Sequence, residues 1–304
     1  MNQLLSDILS YSFILSVPLT IVTLILAFKL VSTVLRLFSL AVCLVMIIIS
    51  WSFLVEPNII IIKEINIPMG INRNIVLVSD THFSKIKNVN FATSIANKIN
   101  SLSNIDMVLW AGDWNESLTI SEIAKPLSLI STIKFPQYSV FGNHDFDVKL
   151  SAKSKTINQQ TDYNLKLQEL LAMNRIKTIE NETVSIGDIE LIGLSSESTT
   201  YQSLQLSDND TKKIYLSHEP SNINILPETK NQLLLAGHSH CGQIKLPYIT
   251  EWGYNNFGSH KSKYFEGLYE VDKKGKMFIS CGLGETVLPL RLFNPPTIYK
   301  INLN

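Results

Sequence analysis

Two long apolar runs open the chain, and short apolar stretches alternating with polar ones follow. Ile8 to Phe28 carries no charge and is interrupted only by Pro18; Leu37 to Val55 is a second charge-free run. A helix needs about 20 apolar residues to cross the hydrocarbon core of a bilayer, and both runs reach that length. They predict a membrane anchor over residues 1–56, a transmembrane hairpin in preference to one long tilted helix. A cleaved signal peptide fits less well: only Asp7 is charged before the first run, and no small-x-small site ends it.

Pro57 ends the anchor. Asn58 to Ile67 reads as a strand, and Ile75 to Ser79 as a short strand covered on both faces. Phe91, Ile95, Ile99 and Leu102 recur near helical spacing and predict a helix over Val89 to Leu102. Ile105 to Trp110 is the next buried strand. Ile120 to Ile133 is helical, with Pro126 breaking or kinking it, and Gln137 to Phe141 is again a strand. Alternating strands and helices argue for parallel strands with crossover helices. Farther on, Tyr163 to Met173 reads as a helix and Thr183 to Gly193 as a hairpin turning at Gly187-Asp188. Strands follow at Lys213 to Ser217, Gln232 to Ala236, Gln243 to Leu246, Gly267 to Val271, Lys276 to Ser280 and Thr297 to Asn302. The expected fold is α/β, two packed mixed β-sheets flanked by helices, over residues 57–304.

The mean hydropathy of +0.15 is high for a soluble enzyme. The excess comes from the first 56 residues, whose charges are Asp7, Lys29, Arg36 and Glu56. The remaining ~250 residues are enough for one sizeable core. A formal net charge of zero gives no electrostatic case for nucleic acid. Of three cysteines, Cys241 and Cys281 fall near the motifs described next; they are expected as small packing residues, a bridge being the lesser alternative.

Five of the six histidines lie in polar motifs that follow apolar runs. Asp80-Thr81-His82 follows Ile75 to Val78, and Gly112-Asp113 follows Met107 to Trp110. Gly142-Asn143-His144-Asp145 follows Tyr138 to Phe141, His218 follows Ile214 to Leu216, and Gly237-His238-Ser239-His240 follows Leu233 to Ala236. In an extended segment Asp80 and His82 share a face, as do His238 and His240. Each motif alone has a bland reading: a loop, a turn after a strand, or a satisfied core histidine. Together, at successive strand ends, they converge on one crevice. Mixed nitrogen and oxygen donors suit Mn²⁺, Fe or Zn²⁺ better than Mg²⁺ or Ca²⁺.

This series of motifs resembles the calcineurin-like metallophosphoesterases over roughly residues 58–304. Gly237-His238-Ser239-His240-Cys241-Gly242-Gln243 followed by Pro247, and Gly282-Leu283-Gly284 with Leu288-Pro289-Leu290-Arg291 and Pro295-Pro296, look like its membrane-associated or exported bacterial branch. The resemblance implies a four-layer αββα sandwich and two divalent ions, manganese first. Asp80, His82 and His240 would bind one ion, Asn143, His218 and His238 the other, and Asp113 both. A hydroxide between the ions would attack phosphorus. His144 would contact the phosphoryl oxygen or protonate the leaving group, with Asp145 holding its ring. Two departures are Glu116, where several relatives carry Asp, and Ser196-Glu197, where relatives often show an acidic pair; neither is expected to touch a ligand.

An anchored enzyme suits a lipid-linked or membrane-proximal phosphate ester. Lys29 and Arg36 between the apolar runs would sit in the cytoplasm by the positive-inside rule, placing the catalytic domain outside the inner membrane; Lys63 and Arg73 pull the other way. Alternatives are the UDP-2,3-diacylglucosamine pyrophosphohydrolase of lipid A synthesis, which needs a cytoplasmic substrate, a metal-dependent protein phosphatase, or a scaffold that has lost catalysis. No obligate protein partner is evident. Tyr254 to Phe265, with His260, Lys261 and Lys263, is expected as a loop near the site.

Overall fold

Fully apolar strand runs dictate a sheet covered on both faces. A computed structural model describes residues 20–23, 25–26, 32–116, 118–146, 157–196, 211–257 and 264–304. An apolar helix, α1 (Thr33–Ser50), continues as a wider π-helical turn, Trp51–Val55, and a 3-10 turn, Glu56–Asn58, toward the first strand. Thr33 to Asn58 is long and apolar enough to cross a membrane. The first apolar run, Ile8 to Phe28, lies largely outside the described residues.

The elements then run β1 (Ile61–Asn66), β2 (Arg73–Val78), α2 (Val89–Asn100), β3 (Met107–Ala111), α3 (Ile120–Ile130) and β4 (Gln137–Val140). Next come α4 (Asn143–Phe146), α5 (Ile157–Met173), β5 (Ile176–Thr178), β6 (Thr183–Ile186), β7 (Ile189–Leu194), β8 (Lys212–Ser217) and β9 (Gln232–Ala236). The chain closes with α6 (Ile249–Phe257), β10 (Gly267–Val271), β11 (Gly275–Ile279) and β12 (Thr297–Leu303).

Two mixed sheets form, in the orders β1-β12-β2-β3-β4-β5 and β10-β11-β9-β8-β7-β6. Within them β2, β3, β4 and β5 are parallel, as are β7, β8, β9 and β11. Each face of a strand feeds a different core. Ile75, Leu77 and Leu109 pack with Leu191, Leu216, Leu235 and Phe278 between the sheets. Val76, Val78, Val108 and Trp110 pack outward with Ile95, Ile99, Ile123, Leu127 and Leu167 of α2, α3 and α5. Tyr215, Leu234 and Ile279 are covered by Ile223 and Leu226, in and just after the 3-10 helix Pro220–Ile225.

Of the two expectations for Pro126, a break or a kink, the break does not occur: Thr119 and Glu122 start α3 with a reciprocal capping box, and Pro126 is buried within the helix. Gln243 to Leu246 is not a strand: Gly242 and Gln243 both take positive φ, so the backbone turns where an extended run was expected, leaving one bridge between Ile244 and Leu292. The expected loop of Tyr254 to Phe265 begins inside α6, and residues 258–263, His260, Lys261 and Lys263 among them, lie outside the described residues.

Candidate metal centre

Parallel strands bring their carboxyl ends to one edge, and β2, β3, β8 and β9 each end there in a polar motif. Backbone conformation, not strand alternation, turns the side chains together. Asp80, His82, Asp113, His238 and His240 all have positive φ, between 41° and 70°. Asp and His tolerate this left-handed region better than most residues, and clustered strain of this kind marks functional sites. Gly142 supplies a close approach: a Cβ there would lie 2.0 Å from Asp113 Oδ1.

The resulting cluster is almost entirely buried. His82 Nε2 and His240 Nε2 are 3.1 Å apart, and His240 Nε2 lies 3.5 Å from Asp80 Oδ1. On the other side, His218 Nε2 is 3.0 Å from both Asn143 Oδ1 and His238 Nδ1. Asp113 Oδ2 joins the two groups, 3.3 Å from His82 Nε2 and 3.3 Å from His218 Nε2. All seven expected ligands therefore meet in one cluster with Asp113 at its middle.

The donors fit a pair of cations. The Nδ1 of His218 donates to the carbonyl of Ala111 at 2.9 Å, which leaves Nε2 as the free nitrogen facing inward. Two imidazole nitrogens facing each other at 3.1 Å attract only with something between them, an N–H hydrogen donated by one ring or a metal ion. Ligands about 2.1 Å from one ion and at right angles to each other stand ~3.0 Å apart. The electrostatics agree. Burial works against a charged His82 ring, yet hydrogen bonds to Asp113 and Glu116 carry its pKa well above the ordinary imidazole value. Burial likewise opposes charge on His218, but Asp113 raises it to about 10. Burial and the neighbouring charges of His82 and Arg291 hold His240 well below its usual value.

Two residues depart from expectation. Asp145 does not hold the His144 ring. Its buried carboxylate accepts the backbone N–H groups of Trp114, Asn115 and Gly142 at 2.9, 3.2 and 2.9 Å, tying the loop after β3 to the loop after β4. Glu116 occupies the place expected of Asp145 and does touch a ligand: its Oε2 lies 3.2 Å from His144 Nδ1 and 2.9 Å from His82 Nδ1. Glu219, Oε1 3.6 Å from His238 Nδ1, is a further carboxylate at the second group; its position beside His218 was the available signal. Glu197 lies outside the described residues.

Cys241 and Cys281 form a disulfide, against the expectation of two packing thiols. A sequence separation of 40 gives no hint of it. The pairing follows from topology, because β9 and β11 are neighbours, Ala236 opposite Ile279, and the two cysteines lie in the segments that follow them.

The chain is similar to several bacterial proteins. It is 27% identical over 243 residues to the uncharacterized metallophosphoesterase YkoQ of Bacillus subtilis, covering 74% of this chain and 81% of that one. It is 26% identical to the uncharacterized metallophosphoesterase Cj0846 of Campylobacter jejuni over 75% of this chain, but spans 58% of that protein's length. It is 22% identical to the UDP-2,3-diacylglucosamine pyrophosphatase LpxG of Chlamydia muridarum, over 82% of this chain and 90% of that one. The model of the calcineurin-like phosphoesterase family matches residues 73–242, the stretch that carries all seven clustered residues, so the chain belongs to the calcineurin-like phosphoesterases and is a metal-binding hydrolase of phosphate esters.

Proposed function

We propose that the protein is a membrane-anchored, dinuclear phosphodiester or pyrophosphate hydrolase acting on a lipid-linked or membrane-proximal substrate. Residues 1–56 serve as anchor and residues 57–304 as the catalytic domain. The observation that carries this reading is Asp113, whose Oδ2 lies 3.3 Å from a histidine of each donor group. Asp80, His82 and His240 would hold one ion, Asn143, His218 and His238 the other, and Asp113 both; the mixed donors favour manganese, with iron or zinc as alternatives. Two bound cations neutralise charge on the phosphoryl group and make water a competent nucleophile near neutral pH.

The chain's own groups supply orientation and protons. Glu116 holds His144 by Nδ1, leaving Nε2 free to donate to a phosphoryl or leaving-group oxygen. Asp145 fixes Gly142, at the start of the short α4 from which Asn143 and His144 project. The half-buried ring of His144 stands at the rim, where a substrate can reach it.

Outward placement of the catalytic domain is supported by the disulfide, since disulfides persist in oxidising compartments. The likeness to LpxG favours a second reading, hydrolysis of a nucleotide-linked acylated sugar. That substrate is made in the cytoplasm and fits an inward-facing site. The test of the metal-centre reading is metal analysis beside turnover of an aryl phosphodiester. Asp113→Ala should lose both metal and activity, while His144→Ala should keep the metal and lose ~10²–10⁴-fold in rate, the usual worth of a general acid. Full activity in either variant overturns that residue's role.

A further inference from the structure

Exposed apolar side chains surround the point where the apolar helix enters the catalytic domain. Main-chain and side-chain bonds make that point rigid. Arg291 N–H donates to the carbonyl of Ser52 at 2.9 Å, Asn294 N–H donates to the Glu56 carboxylate, and the buried Lys87 ammonium donates to the carbonyl of Pro57. Segment 291–294 thus lies along residues 52–56. On its other side, Lys245 N–H donates to the carbonyl of Leu292 at 2.8 Å, and Leu292 N–H to the carbonyl of Gln243 at 3.0 Å. The turn into α6 follows directly.

Along these joined segments, Trp51 is 46% exposed, Tyr248 92%, Trp252 60%, Val287 69% and Phe293 62%, with Ile249 between Tyr248 and Trp252. Large apolar side chains this exposed, grouped beside a helix of membrane-spanning length, mark a lipid-facing surface, and Trp and Tyr favour the headgroup layer. The same strip reaches the metal centre. Asn294 Nδ2 donates to the carbonyl of the ligand His240 at 2.8 Å, and Arg291 donates to the carbonyls of Cys281 and Gly284.

We propose that Tyr248, just before α6, and Ile249 and Trp252 within it, with Val287 and Phe293, are seated in the interfacial layer of the same bilayer that the Thr33–Asn58 helix crosses. The partner is the lipid surface itself. The domain is then not tethered at a distance but held with the loop of His240 at the membrane, where a lipid headgroup reaches the ions without leaving the bilayer. This inference rests on the anchor reading above and is tested separately from it.

The experiment uses the full chain in phosphatidylcholine–phosphatidylglycerol vesicles, with and without acyl chains brominated near the headgroup. Trp110 and Trp114 are 1% exposed and do not report on lipid. The variant Trp252→Phe leaves Trp51 as the exposed reporter and tests the anchor. The variant Trp51→Phe leaves Trp252 and tests the strip. Both should lose emission in brominated vesicles to a comparable extent, and Trp51→Phe/Trp252→Phe should lose none. Quenching in Trp252→Phe but not in Trp51→Phe overturns the seated strip while the anchor stands. Shielding of Trp252 from aqueous iodide without lipid quenching also overturns it, in favour of a protein contact. No quenching in either variant overturns the anchor, and the strip with it.

Discussion

At the residue scale, Glu116 carries more of the site than its place in the sequence announces. One carboxylate oxygen serves both His82 and His144. Burial alone would raise its pKa, but hydrogen bonds from His144 and His82 bring it down to about 2, so it stays ionised wherever the enzyme works. Losing a carboxylate that orients a metal-ligating histidine costs ~10–100-fold in metal affinity or activity. Glu116→Gln should show that loss in an assay of turnover against added Mn²⁺, and Glu116→Asp should recover part of it; wild-type rates in Glu116→Gln would remove the carboxylate from the mechanism. A pH prediction follows from the histidines. Against the cost of burial, Asp113 raises the pKa of His218 to about 10, so His218 holds a proton at pH 7; His82 is shifted in the same direction, and ligation requires neutral rings. Metal binding must displace the His218 proton, so affinity rises with pH from 7 toward 10 and falls in acid. Calorimetric titration with Mn²⁺ in buffers of different ionisation enthalpy should record proton release; zero net release at pH 7 would contradict the assignment.

At the element scale, what matters is the turn that follows each strand. β2, β3 and β9 all end in left-handed residues, and there the chain stops presenting alternate faces and folds its side chains over the strand ends. Periodicity shows the strands, because each is an apolar run with a polar stop. It does not show the turns: Asp80 and His82 were expected together because strand residues two apart share a face, and they meet by positive φ instead. For the same reason Gln243 to Leu246 looks like a strand and is not one. The Cys241–Cys281 bridge joins two of these loops, directly beside His240 and Gly282. Closing a loop of this size is worth about 2–4 kcal/mol. Adding dithiothreitol to the wild type should therefore lower the urea midpoint, and Cys241→Ala/Cys281→Ala should sit at the reduced value with no further response. An unchanged midpoint would mean the bridge does not form in solution.

At the scale of the whole molecule, the two sheets present their strand ends at one edge, and the apolar helix is bonded to the loops beside that edge through Ser52, Glu56 and Pro57. Lys87, Glu285 and Arg291 form the buried ionic knot of this junction, Lys87 Nζ 3.0 Å from Glu285 Oε1 and Arg291 Nε 3.3 Å from the same oxygen. A buried charge left without its partner is costly, so these three belong together or not at all. The orientation of the whole is testable by protease treatment of intact cells against permeabilised ones. An outward domain, which the bridge favours, is cleaved without permeabilisation; protection in intact cells would turn the molecule around and favour the nucleotide-linked substrate.

The linear order of residues determined the apolar helix, most strands, the sandwich class and the seven polar residues that cluster at the strand ends, because burial and polarity are written locally, in runs and stops. Tertiary structure decided which carboxylate serves His144, that Asp145 binds backbone instead, that two distant cysteines meet, and that the last strand, β12, inserts between β1 and β2. Those outcomes depend on which strands become neighbours and on the sign of φ at their ends. Neither is recorded in the spacing of residue types along the chain.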